Sequence, residues 1–158
     1  MNAIIGRRVT HEFTQTNPAP PDKVFPLLCP VREAEWVPGW NYQLIYSDSG
    51  VAEMGCVFTT IPSDIANAKL TWITTEYDPA AYRIAYIWIR PEHILAELRI
   101  QVAADGEKTR THIQFRYTGL STAGNREIET YDRKWFEKKM HGWESAINHY
   151  LLNGTLIS

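Results

Sequence analysis

The sequence predicts an α+β fold: a curved, seven-stranded antiparallel sheet wrapped around a long C-terminal helix, with two short helices after the first strand. Three observations lead there. Residues 8–16 alternate Val9, His11 and Phe13 against Thr10, Glu12 and Thr14, the period of a half-buried strand. Residues 41–119 repeat short β-forming runs divided by turn residues. Residues 124–153 carry Ile128, Tyr131, Trp135, Met140, Trp143, Ile147 and Leu151 at steps of three to five, the apolar stripe of an amphipathic helix.

Taken in order, the first strand is stopped by Pro18, Pro20 and Pro21. Residues 22–28 and 31–36 read as short helices parted by Cys29-Pro30, because a proline disfavours helical backbone in its predecessor. Pro38-Gly39 ends the second. Strands follow over residues 41–46, 55–61, 69–77, 81–89, 92–103 and 108–118. Asp48-Ser49-Gly50, Asp78-Pro79 and Asp105-Gly106 supply the turns, the Asp-Gly pair being the strongest hairpin signal.

In the sixth strand Ile94, Ala96, Leu98, Ile100 and Val102 alternate with Glu97, Arg99 and Gln101, so one face is dry and the other wet. The same test turns Ile113, Phe115 and Tyr117 inward, and sets Tyr82, Ile84, Tyr86 and Trp88 on one side of the preceding strand. The closing helix, about 44 Å long as one piece, is capped by Ser121 or Thr122 at its start and by Gly154 at its end. Glu129 and Arg133 form an i,i+4 pair on it. Gly142 within it reads as a point of close packing against a strand.

At 158 residues, with 44% hydrophobic and 22% charged side chains, the chain reads as one domain over residues 1–158 that needs neither disulfide nor metal. A net charge of −2 gives no basic footprint, so nucleic acid is not an expected partner. No signal-like run opens the sequence and no apolar stretch reaches the roughly eighteen residues of a membrane span. A cytoplasmic protein without stable membrane insertion is expected, with Cys29 and Cys56 as free thiols.

One helix laid across a curled sheet cannot fill its concavity, and the remaining volume suits a ligand. Five Phe, six Trp and eight Tyr exceed what one small core needs. The cavity wall is expected from Phe13, Trp36, Trp40, Phe58, Trp72, Tyr82, Tyr86 and Trp88 on the N-terminal side. Leu98, Ile113, Phe115, Tyr117, Trp135, Trp143 and Ile147 complete it.

This order of elements, together with Arg32-Glu33-Ala34-Glu35-Trp36-Val37-Pro38-Gly39-Trp40 and the closing helix with Trp143-Glu144, resembles the START-like superfamily, also called the polyketide-cyclase and pollen-allergen-like superfamily. The resemblance covers nearly the whole chain. It implies a helix-grip fold with an apolar tunnel for lipids, hormones, quinones or polyketides, and catalysis in only some branches.

Hydrolase, dinucleotide and phosphate-loop signatures are absent. His11, His93, His112, His141 and His149 occur singly, so no metal is expected, and no cofactor is called for. For proton transfer inside a tunnel the candidates are His11, in phase with Val9 and Phe13, and Glu33, close to Trp36 at the expected mouth. Glu33 and Glu35 read equally as surface partners of Arg32. Three functions stay open: binding or transport of a hydrophobic small molecule such as a lipid, quinone or polyketide; a polyketide aromatase/cyclase or dehydratase acting through His11 or Glu33; and a co-chaperone-like module with a protein partner.

Overall fold

The structure is a computed structural model that describes residues 3–63 and 68–158. Strand β1 (Arg8–Asn17) leads into α1 (Pro21–Val24), which tightens into a 3₁₀ turn at Phe25–Leu28, and then into the single turn α2 (Pro30–Glu33). Strands β2 (Tyr42–Tyr46), β3 (Val57–Thr60), β4 (Leu70–Asp78), β5 (Arg83–Arg90), β6 (Ile94–Asp105) and β7 (Lys108–Gly119) follow, then helices α3 (Thr122–Ile128) and α4 (Arg133–Asn153). All seven strands form one antiparallel sheet in the order β1-β7-β6-β5-β4-β3-β2. The predicted fold class stands: an open antiparallel sheet with a long C-terminal helix and short helices after the first strand.

Period-two patterning locates the core. Ile94, Ala96, Leu98, Ile100 and Val102 of β6 are buried, as are Ile113, Phe115 and Tyr117 of β7 and Ile84, Tyr86 and Trp88 of β5. On the opposite face Arg116 grips Glu97 with two hydrogen bonds of 2.6 Å across β6 and β7. Turn chemistry trims the strands. Tyr82 and Glu92 adopt positive φ of 55° and 62°, so β5 and β6 begin two residues later than the sequence suggests. In the β6–β7 hairpin Asp105 pairs with Lys108, so the two turn residues are Gly106 and Glu107, with Gly106 at φ 64° in the position that favours glycine.

The closing helix departs most from expectation. It is two helices, parted at Glu129–Asp132, and α4 is 21 residues, about 32 Å, rather than about 44 Å. Ser121 caps α3 as predicted, its hydroxyl accepting from the Gly124 N–H at 3.0 Å. Asp132 takes an extended backbone and caps α4, its carboxylate accepting from the Trp135 N–H at 2.8 Å. The break also cancels the Glu129–Arg133 pair: Glu129 pairs with Arg7, and Arg133 with Glu137 one turn on. The stripe facing the sheet is Phe136, Met140 and Ile147, all buried, with Trp143 partly buried between them; Trp135 lies one position off it.

Helix α4 also covers the free edge of β1. Arg133 donates to the Glu12 carbonyl and Asn148 to the Thr16 carbonyl, each at 2.9 Å, while Glu144 accepts from the Thr16 N–H at 2.9 Å. Backbone groups that would otherwise template another strand are thereby satisfied.

Two helical glycines behave oppositely. A Cβ on Gly124 would stand 1.8 Å from the His93 carbonyl oxygen, whereas at Gly142 no atom lies within 4 Å, so the close packing expected there does not occur. Gly124→Ala should destabilise the protein by about 1–3 kcal/mol through overpacking. Gly142→Ala should stabilise it by about 0.5–1 kcal/mol by removing glycine's backbone freedom from the unfolded chain. Urea titration of the two variants checks both signs.

Candidate ligand cavity

Between the concave face of β3–β7, the α2–β2 connection and α4 lies a cavity of about 220 Å³. Seven aromatic residues among those described stand on its wall beside aliphatic ones, and alternation puts several of them there: Phe58 faces Trp72 across β3 and β4, Trp72 faces Trp88 across β4 and β5, and Tyr86 lies two residues before Trp88 on the same face of β5. Phe58 stacks on Trp72 at 5.3 Å between centroids. Tyr86 meets the edges of both, at 5.9 Å from Phe58 and 5.8 Å from Trp72. Trp40 closes one side at 6.5 Å from Trp72, and Trp143 of α4 closes another.

The polar ends of several wall aromatics are already used by the protein. The Tyr86 hydroxyl donates to the Leu28 carbonyl at 2.8 Å, the Trp40 indole N–H to the Pro30 carbonyl at 2.8 Å, and the Trp72 indole N–H to the Thr60 hydroxyl at 2.9 Å. Fixing these groups locks the rings and leaves their faces to the cavity. Burial pushes the Tyr86 phenol well above its ordinary pKa, with nearby Glu33 adding to the effect.

Of the residues expected on the wall, Trp40, Phe58, Trp72, Tyr86, Trp88, Leu98, Ile113, Phe115 and Trp143 border this cavity. The other six pack elsewhere. Phe13 meets His141 edge-on at 5.0 Å, and Tyr82 turns to Phe25 at 5.7 Å. Trp36 is fully buried behind Trp143, its indole N–H donating to the Leu27 carbonyl at 2.8 Å. Tyr117 and Trp135 both pack on Tyr131 beyond the Phe115 end, at 5.1 and 4.2 Å, and Ile147 is sealed in the core. Leu70, Ile100, Met140 and Lys139 border the cavity without having been singled out; Ile100 shares the β6 phase of Leu98 and Met140 the α4 stripe, so two of the four were in register to be found.

The two candidate proton carriers part company. His11 faces inward but under the start of α4: its ring stacks on Phe136 at 5.0 Å, and Nε2 lies 2.7 Å from the Tyr131 carbonyl, to which it donates. It helps hold the break between α3 and α4 and does not border the cavity. Glu33, at the end of α2, does border it. Its neighbours leave it alone: Arg32 pairs with Glu35, and Glu35 accepts from the Tyr150 hydroxyl at 2.6 Å. Some Glu33 surface remains accessible because it fronts the cavity, yet the surrounding protein desolvates it and pushes its pKa well above the ordinary carboxylate range. No described residue offers its carboxyl a hydrogen bond or ion pair.

Cys29 and Cys56 are free and buried, and neither borders the cavity. Among the described residues no group of three or more His, Cys, Asp or Glu is placed to hold a metal ion, and no helix is long and apolar enough to cross a membrane.

No family model matches the sequence and no curated protein matches it. Solved structures do match. Ara h 8.0201 superposes with a TM-score of 0.68 at 18% identity over 92% of this chain and 99% of its own. Norcoclaurine synthase from Thalictrum flavum, in complex with dopamine and hydroxybenzaldehyde, gives 0.65 at 14% identity over 94% of this chain and 87% of its own. Mll3558 protein from Rhizobium loti gives 0.65 at 17% identity over 92% and 98%. These superpositions extend over nearly the whole of this chain, so the chain has the helix-grip fold of the START-like, pollen-allergen-like proteins.

Proposed function

We propose that the protein binds a small, flat, apolar molecule in the cavity between sheet and α4. The observation that carries this is the wall itself: Trp40, Phe58, Trp72, Tyr86, Trp88 and Trp143 turn toward one space of about 220 Å³. Apolar space of that kind is a ready site for aromatic rings, since a dry cavity of about 150 Å³ takes up benzene. Its size supports a one- or two-ring ligand over a full-length lipid or a quinone with its tail, because pockets for larger ligands run to about 300–1,000 Å³. Norcoclaurine synthase, similar in fold, is known in complex with two small aromatic molecules.

Four of the wall residues are tryptophans, so ligand entry should alter intrinsic fluorescence. Saturable quenching by single-ring and fused two-ring aromatics, weakening as the ligand grows to three rings or carries a long chain, is the expected result. A long-chain fatty acid that quenches more strongly than any small aromatic would contradict the size argument. If the cavity also serves catalysis, Glu33 and not His11 carries the proton, and Glu33→Gln should lower turnover by about 10²–10⁴-fold.

A further inference from the structure

We propose that the cavity is selective for small aromatic amines and that Glu33 is the group that recognises the amino function; this rests on the ligand-binding reading above and names its ligand class. Glu33 is the one carboxyl on the cavity wall among the described residues. It has no hydrogen-bond or ion-pair partner there, while the neighbouring charges of its own segment, Arg32 and Glu35, satisfy each other and Tyr150. A desolvated carboxyl without a partner is costly to keep. It faces a space ringed by indole and phenol faces, and aromatic faces around an acidic group are the environment that favours an organic cation over a neutral molecule of the same shape.

The other titratable groups near it do not compete. The Tyr86 hydroxyl on β5 is committed to the Leu28 carbonyl. Of the buried thiols, Cys29, immediately before α2, accepts from the Ala52 N–H at 3.2 Å, and Cys56, ahead of β3, is held above its usual pKa by burial. Lys139 of α4 borders the cavity, but its Nζ lies over the ring of Trp135, 5.3 Å from the centroid, and Trp135 is outside the wall.

Desolvation raises the Glu33 pKa and so favours the protonated carboxyl in the empty cavity. When an ammonium ligand enters, the carboxyl proton leaves to solvent and the carboxylate accepts from the ammonium N–H. No covalent bond forms, charge is conserved, and each protonated Glu33 that takes up the ammonium releases one proton. Affinity for the ammonium form therefore rises with pH until Glu33 ionises in the empty cavity, whereas affinity for a neutral ligand does not.

Isothermal titration calorimetry with phenethylamine and its neutral counterpart 2-phenylethanol, in buffers of differing ionisation enthalpy from about pH 5 to 8, tests this on the wild-type chain and on Glu33→Gln. The wild type should bind the amine about tenfold to a hundredfold more tightly than the alcohol at the upper end of that range, the span expected for a hydrogen bond to a charged group. Amine binding should release protons, at most one per ligand, and alcohol binding none. Glu33→Gln should bring the amine down to the alcohol's affinity and abolish proton release and the pH dependence. Equal affinity for both probes in the wild type, or a preference that survives Glu33→Gln, overturns the assignment and leaves the cavity reading standing. Failure of both probes to bind the wild type overturns both. Should Glu33→Gln not fold, the wild-type comparison of the two probes and its pH dependence decide alone.

Discussion

Trp36→Ala should cost the protein about 3–5 kcal/mol, out of the roughly 5–15 kcal/mol that a domain of this kind has in total. Trp36 has no exposed surface, packs 5.0 Å from Trp143 and hydrogen-bonds the Leu27 carbonyl, so truncation leaves both a void and an unsatisfied backbone acceptor. Trp143→Ala should cost less, because one side of Trp143 already fronts the cavity and loses no packing there. The order matters as much as the size. Urea titration at constant slope checks it, and a Trp143→Ala loss larger than that of Trp36→Ala would mean that Trp143, not Trp36, is the buried member of the pair.

Leu98→Phe should reduce binding of a small aromatic by about tenfold or more while changing stability by less than about 1 kcal/mol. Leu98 is buried at the cavity wall, and the larger ring can extend into empty space instead of into packed neighbours. Filling a void commonly leaves a protein as stable or more so. A ligand that must share the same space loses its site. Ligands bound on the outer face of the sheet, around Ile73 and Tyr77, would be indifferent to this change.

Much of the fold was legible because its signals are local. Alternation in β6 and β7 fixed which side of each strand is buried, and Asp105-Gly106 placed the hairpin to within a residue. The break before α4 was not legible, because Thr130-Tyr131-Asp132 contains neither glycine nor proline and Tyr131 sits on the apolar spacing that a continuous helix would have. What ends α3 is largely tertiary: the Tyr131 carbonyl leaves the helix and meets His11, 120 positions earlier in the chain. Asp132, three residues before the N–H it caps, was the one local trace of it.

The cavity was half legible. Strand phase brought Phe58, Trp72, Tyr86, Trp88, Leu98, Ile113 and Phe115 to the concave side, but it says nothing about position along the helix, which decides whether an inward residue meets α4 or the void. His11 and Tyr117 meet side chains from the α3–α4 break and the start of α4, and Phe13 meets His141. Trp135 and Phe136 are adjacent and both apolar, so periodicity alone did not choose between them; the sheet took Phe136. The isolation of Glu33 was within reach, since on a helical turn Arg32 faces the residue three positions on, Glu35, and not the one beside it.

The most direct test that ligand enters between sheet and α4 is a methyl-resolved NMR titration with a single-ring aromatic. Resonances of Leu70, Leu98, Ile100, Ile113 and Met140, all on the cavity wall, should shift saturably together, while those of Ile45 and Ile73, exposed away from it, stay in place. Shifts confined to Ile45 and Ile73, or no shift at the methyls of the five wall residues at saturating ligand, would contradict binding in the cavity.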